Sequence, residues 1–277
     1  MSELLRHILS PEIPFLRNAL LAGLLASVPL GMVGTHVILR RISYLAAAIA
    51  HCILGGIGLF SLLQVRLNLP WLNPTYGAII SALAAALLIS RIQQKHAARE
   101  DSLIGAIWVS GMAVGLICFQ VTPSYVDPMS YLFGNILLIN KQELIITAIL
   151  GIIVTGCLFR YNKELTGIAF DPEFAELRGL QVHRWNLLLL TLTALTIVIM
   201  VSLVGIVLVI ALLTLPPALA MHKKTSSRAL LVRSTIACAI LMTGGTCVSY
   251  AIDLPAGPVI IGITGLSYLC STLRKGY

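Results

Sequence analysis

Residues 185–220 form one apolar run of 36 residues, closed by Arg184 on one side and followed by Lys223 on the other. No water-facing element tolerates such a run. In lipid the backbone must satisfy its own hydrogen bonds, so the run must be helical. One helix needs about 20 residues to cross a hydrocarbon core of about 30 Å. The run is too long for one crossing. Basic residues mark the cytoplasmic side of membrane helices, and both borders of the run are basic. It must therefore cross outward and return, as two helices turning near Ser202–Gly205. At 1.5 Å per residue the run reaches about 54 Å, against about 60 Å for two full crossings. At least one of the two helices is expected to be short or to stop within the bilayer. Pro216–Pro217 is expected to interrupt the second one near its inner end.

The same pattern repeats along the chain. Apolar runs of membrane length fall near residues 15–39, 42–63, 74–92, 102–122, 143–160, 229–251 and 257–273. With the double crossing this makes nine spans, the N-terminus outside and the C-terminus inside. Arg6 and Arg17 favour a cytoplasmic start, which would make eight. Pro128–Asn140 is apolar but too short to span. It reads as a half-helix dipping into the membrane or packed at its outer edge. The expected fold is an all-α polytopic membrane helix bundle of about eight or nine transmembrane helices, some short or broken, as one domain over residues 1–277.

Composition excludes the alternatives. Charged residues are 11% of the chain, against about 25% in soluble domains. Neither a soluble enzyme nor a disordered chain is built this way. The net charge of +8 does not point to nucleic acid. Most basic residues lie in five clusters at the ends of apolar runs: Arg40–Arg41; Arg91, Lys95, Arg99; Arg160, Lys163, Arg178, Arg184; Lys223, Lys224, Arg228, Arg233; and Arg274–Lys275. A nucleic-acid face would not be divided by membrane-length stretches. The six cysteines show no C-x-x-C spacing and read as small apolar residues. The first 14 residues carry Arg6, Pro11, Glu12 and Pro14 and no apolar core, so no cleavable signal peptide is expected.

The chain carries no Walker A motif, no H-E-x-x-H and no G-x-S-x-G. Enzymatic chemistry is not expected of it. Ionisable groups at membrane depth are costly and mark function. His36 lies late in the first span and His51 in the second. Neutral imidazole suits a divalent transition metal, so His51, and less directly His36, are candidate metal ligands. Cys52 adjoins His51, but adjacent helical positions point about 100° apart. Asp127, Glu143 and Asp253 fall near outer helix ends. Asp253 reads as part of a turn and a helix N-cap, with Pro258 in the first helical turn; a cation-attracting role is its alternative. Gly111-x-x-x-Gly115 puts two small residues on one helix face for close packing. In the longest cytoplasmic loop, 161–184, Asp171 can cap a short helix, Pro172 can open it and Gly179 can end it. That helix is either solvated or a dock for a cytoplasmic partner.

Four segments together resemble a known family: 38–56 (ILRRISYLAAAIAHCILGG), 127–139 (DPMSYLFGNILLI), 169–220 and 253–261 (DLPAGPVII). In order and spacing they are similar to the membrane-spanning permease subunits of ATP-binding-cassette importers for zinc and manganese. The resemblance covers about residues 15–273. It implies a permease in the bacterial cytoplasmic membrane, paired with a second permease subunit. Two cytoplasmic ATPase subunits would bind it, and an extracytoplasmic metal-binding protein would deliver the ion. It implies no stably bound cofactor, only a transported divalent metal: zinc first, manganese or iron next. It places ATPase coupling on Asp171, Glu173, Glu176, Arg178 and Gly179, and His51 toward the pathway. One departure stands out. The family usually has Asp four residues before the second-helix histidine, where an acid and an imidazole share a helix face. Here that position is Ala47. Another group, with His36 or Asp253 as candidates, supplies the charge, or metal handling is altered. A secondary transporter would need an intramembrane acid for its coupling ion, and an intramembrane enzyme a nucleophile or paired acids. No acid falls mid-span.

Overall fold

The computed structural model describes residues 14–69, 71–95, 100–122, 128–134, 141–221 and 226–275. Arg99, Lys223 and Lys224 of the basic clusters, Asp127, and residues 135–140 of the expected half-helix lie outside these. Twelve helices are described, and no strand among the described residues. They are α1 (Pro14–Leu39), α2 (Ser43–Leu67), α3 (Pro74–Lys95), α4 (Glu100–Val121), α5 (Pro128–Phe133), α6 (Lys141–Arg160), α7 (Asn162–Phe170), α8 (Pro172–Leu177), α9 (Val182–Val204), α10 (Ile206–Ala220), α11 (Ser227–Ile252) and α12 (Ala256–Lys275). Seven are long and apolar enough to cross a membrane, and the α6–α7 pair, bent by 63°, brings the number to eight. The all-α polytopic bundle is thus as the residue pattern predicts.

The 36-residue run is two helices, α9 and α10, divided at Gly205. The expected shortness falls on α10. Its 15 residues reach only about 22 Å at 1.5 Å each. The expected break at Pro216–Pro217 does not occur: α10 continues through both prolines to Ala220. Tertiary packing explains this. Both prolines are buried, and α1 presents Gly34 directly against the Leu213 carbonyl and the Pro217 ring. A side chain at position 34 would push the two helices apart.

The bundle has two packed groups. In one, α2 lies between α3 and α4; in the other, α1, α10, α11 and α12 pack together. Between them α9 touches α3, α2, α6 and α10. The predicted glycine face of α4 is used. Gly111 and Gly115 lie against Gly55 and Gly58 of α2, so close that any Cβ there would meet backbone. Helical threonines satisfy their hydroxyls locally, as Thr35, Thr193, Thr196 and Thr246 donate to the carbonyl four residues back.

The basic ends gather on one side. Arg40 Nη1 donates to the Ile168 carbonyl at 3.3 Å. Tyr44 and Gln93 both donate to Glu100 Oε1, at 2.7 and 2.9 Å. Thr166 and Ser227 hydroxyls pair at 2.9 Å. These links join the end of α1 to α7, the start of α2 and the end of α3 to the start of α4, and α7 to the start of α11. That is the cytoplasmic end, by the placement of Lys and Arg.

At the other end, α5 terminates on Gly134. Its backbone meets Val204 and Gly205, and Gly257 packs on the Phe133 carbonyl. The described part of the expected half-helix therefore seats against the α9–α10 break.

Candidate metal pathway and coupling segment

His51 stands in the middle of α2, half-buried. Its ring stacks on Trp108 of α4, with centroids 4.9 Å apart and planes 14° from parallel. Its Nδ1 is buried without a hydrogen-bond partner. A neutral imidazole nitrogen without a partner is a ready ligand for a cation. The Cys52 thiol is engaged elsewhere: it donates to the Ile107 carbonyl at 3.6 Å. Ala47, one turn earlier, is buried and offers no donor atom.

His36 differs from His51. It is wholly buried near the end of α1, and neither ring nitrogen has a partner. Asp253 is exposed at the far end of α11. It does not cap the start of α12, as expected of it. It is the C-cap of α11 in a left-handed conformation, φ 54°. Ser249 completes that turn by donating to the Leu254 carbonyl at 2.5 Å. Pro258 does fall in the first turn of α12. The three metal candidates thus sit on α1, on α2 and beyond α11. No group of three or more His, Cys, Asp or Glu able to hold a metal occurs among the described residues.

Trp108 was not among the expected site residues. The signal was present: it stands three and seven residues before Gly111 and Gly115, on the face of α4 that meets α2.

The 171–180 segment has the expected caps. Asp171 Oδ1 accepts from the Phe174 amide at 2.9 Å, and Pro172 opens α8. Gly179, at φ 83°, ends it. The Gly179 amide donates to Glu176 O at 2.8 Å, and the Leu180 amide to Ala175 O at 3.0 Å. One side of the segment is anchored by buried Ala175 and, in α7, by Leu165 and Ile168. The other side presents Phe170, Phe174 and Leu177, which is 86% exposed, beside exposed Glu173, Glu176 and Arg178. Arg178 lies over the Phe174 ring at 5.1 Å.

A bundle of apolar helices with broken spans and basic ends on one side is a multi-pass membrane protein. Residues 12–275 match the ABC 3 transport family, and the chain belongs to it. It is therefore a permease of the bacterial cytoplasmic membrane, a transport component. A protein of Chlamydia trachomatis named "Probable metal transport system membrane protein" is 35% identical over 263 residues, covering 95% of this chain and 89% of the relative. The "Manganese import system permease protein ScaB" of Streptococcus gordonii is 31% identical over 257 residues, covering 93% and 90%. The solved structure "PsaBC from Streptococcus pneumoniae in complex with Fab" superposes with a TM-score of 0.84 at 29% identity, over 98% of this chain and 94% of that one.

Proposed function

We propose that this chain is the membrane subunit of an ATP-driven importer of divalent transition-metal ions. The observation that carries the reading is the near full-length likeness to a permease named for manganese import, joined to an unpartnered imidazole nitrogen at mid-span. Donor chemistry orders the candidate ions. Imidazole without a neighbouring carboxylate suits zinc better than manganese, which prefers oxygen ligands. Zinc is thus the first ion to test, and manganese, on the relatives' names, the second.

Two copies of the permease, or this chain with a related one, would enclose the pathway. A binding protein outside would deliver the ion. The apolar knob of Phe170, Phe174 and Leu177 would seat in a cleft of each ATPase subunit, and Glu173, Glu176 and Arg178 would set its register. Movement of α8 would pass through α7 to α1 by the Arg40 bond and to α11 by the Thr166–Ser227 bond.

Uptake of labelled zinc and manganese into proteoliposomes, with the cognate ATPase and binding protein, tests this. Uptake of either ion should depend on this chain and on ATP. His51→Ala should lower it at least tenfold while the protein stays folded and assembled. Uptake that persists unchanged in His51→Ala would return His51 to a packing role against Trp108. No metal uptake by the assembled wild type would end the metal reading and leave a permease with altered cargo.

A further inference from the structure

At the cytoplasmic end, the 63° bend between α6 and α7 opens a pocket of about 670 Å³ against α1 and α11. Three cations line it: Arg160 at the end of α6, Lys163 in the first turn of α7, and Arg228 in the first turn of α11. One carboxylate, Glu164, faces the same space. Its Oε2 is buried and lacks a hydrogen-bond partner. A second groove, about 590 Å³, continues from the first between α1 and α6. The two share Val28, Thr155, Phe159 and Arg160. Beyond the shared residues the second groove is apolar, lined by Leu25, Pro29 and Ile152 among others. Where the two meet, the Thr155 hydroxyl is also buried and unpartnered, unlike the back-bonded threonines of α1, α9 and α11.

The arrangement is therefore cationic at the membrane surface and apolar toward its interior, with an unused acceptor and an unused hydroxyl inside. A phosphate alone would leave the apolar groove unfilled. A second copy of the chain would fill the groove with apolar side chains and leave three cations against one carboxylate. A lipid satisfies both parts. Basic pockets between spanning helices on the cytoplasmic side suit anionic headgroups.

We propose that this groove binds one molecule of an anionic glycerophospholipid with a hydroxylated headgroup, of the phosphatidylglycerol type. Its phosphodiester sits among Arg160, Lys163 and Arg228. Its headgroup hydroxyl donates to Glu164 Oε2. The Thr155 hydroxyl meets the ester region, and an acyl chain lies along α1 and α6. The site adjoins α7, whose Thr166 bonds to Ser227, so the lipid braces the segment that carries α8.

Native mass spectrometry of the purified full chain in detergent tests this, with dioleoyl phosphatidylglycerol, dioleoyl phosphatidylcholine and inorganic phosphate as probes. One phosphatidylglycerol should be retained at least fivefold better than phosphatidylcholine, and millimolar phosphate should not displace it. Each cation removed should weaken that retention about fivefold, so Arg160→Gln with Arg228→Gln should reduce it about 25-fold and lower phosphatidylcholine retention less, bringing the two lipids together. Gly156 lines the apolar groove, and a Cβ there meets nothing within 4 Å. Gly156→Phe should therefore enter the groove without displacing neighbours and weaken both lipids. Equal retention of the two lipids by the wild type would overturn the proposal. So would displacement by phosphate, or a Gly156→Phe chain that binds both lipids as before. Loss of all lipid on dimer formation would assign the groove to a second copy instead.

Discussion

Gly205 and Gly179 share a positive φ, 81° and 83°, and do opposite work. Gly205 divides α9 from α10, and its space is taken: a Cβ there would meet the Gly134 amide, Phe133 backbone and Leu132 carbonyl. Gly179 ends α8 at the surface, and a Cβ there meets nothing within 4 Å. One glycine is needed for its conformation and for its size, the other for conformation alone. The first holds the outer end of the bundle closed on α5. The second shapes the exposed segment proposed to meet the ATPase. A positive φ is therefore not one constraint: its cost depends on the ψ beside it and on what stands where the side chain would go.

Substitution separates the two. Gly205→Ala must adopt a backbone region, φ 81° with ψ 161°, open essentially to glycine only, and must also force backbone from backbone. A loss of about 3 kcal/mol or more is expected, seen as loss of folded protein in fluorescence-detected size exclusion. Gly134→Ala meets the same contact from the other side, at φ 60°, and should cost nearly as much. Once one of the pair has pushed the segments apart, the second change should add little. A double variant that loses the full sum would show that the two glycines do not share one contact. Gly179→Ala should cost only about 1–2 kcal/mol of left-handed strain. The purified permease should stay folded, and the effect should appear in co-purification of the ATPase. Equal thermal stability losses at 179 and 205 would break the comparison.

The two regions were also unequally legible. The α8 turn could be read residue by residue, because Asp171, Pro172 and Gly179 act through local bonds within the segment. The position of the α9–α10 break was readable too, because membrane thickness and the flanking charges limit where a 36-residue run can turn. What closes that break was not: Gly134 is 71 residues away in sequence (205 minus 134), and nothing local announces their contact. The same reason explains the prolines at 216 and 217. Their local preference says stop, and a glycine on α1 lets the helix continue. Of the metal candidates, the depth of His51 was legible from the span, but its stacking on Trp108 was not, since it depends on how α2 and α4 meet. Asp253 has the sequence pattern of an N-cap for α12 and is the C-cap of α11, because a left-handed cap and an N-cap both favour Asp in the same short turn.

The smallest effect in this set belongs to Asp171, and it sharpens what the exposed segment depends on. Among the described residues its carboxylate accepts the Phe174 amide alone, so Asp171→Ala should cost about 1 kcal/mol of local helix stability, and Asp171→Asn a few tenths. Neither change removes a side chain from the apolar knob or alters Gly179. If α8 works as a preformed rigid dock, Asp171→Ala should weaken ATPase co-purification about fivefold by fraying the first turn that holds Phe174, and Asp171→Asn should restore it. The global thermal stability of the permease should not move in either variant, because α8 is buried only at Ala175. If Asp171→Asn fails to restore docking while the helix stays folded, the charge itself meets the partner, and Asp171 belongs with Glu173 and Glu176 in setting the register rather than in holding the turn.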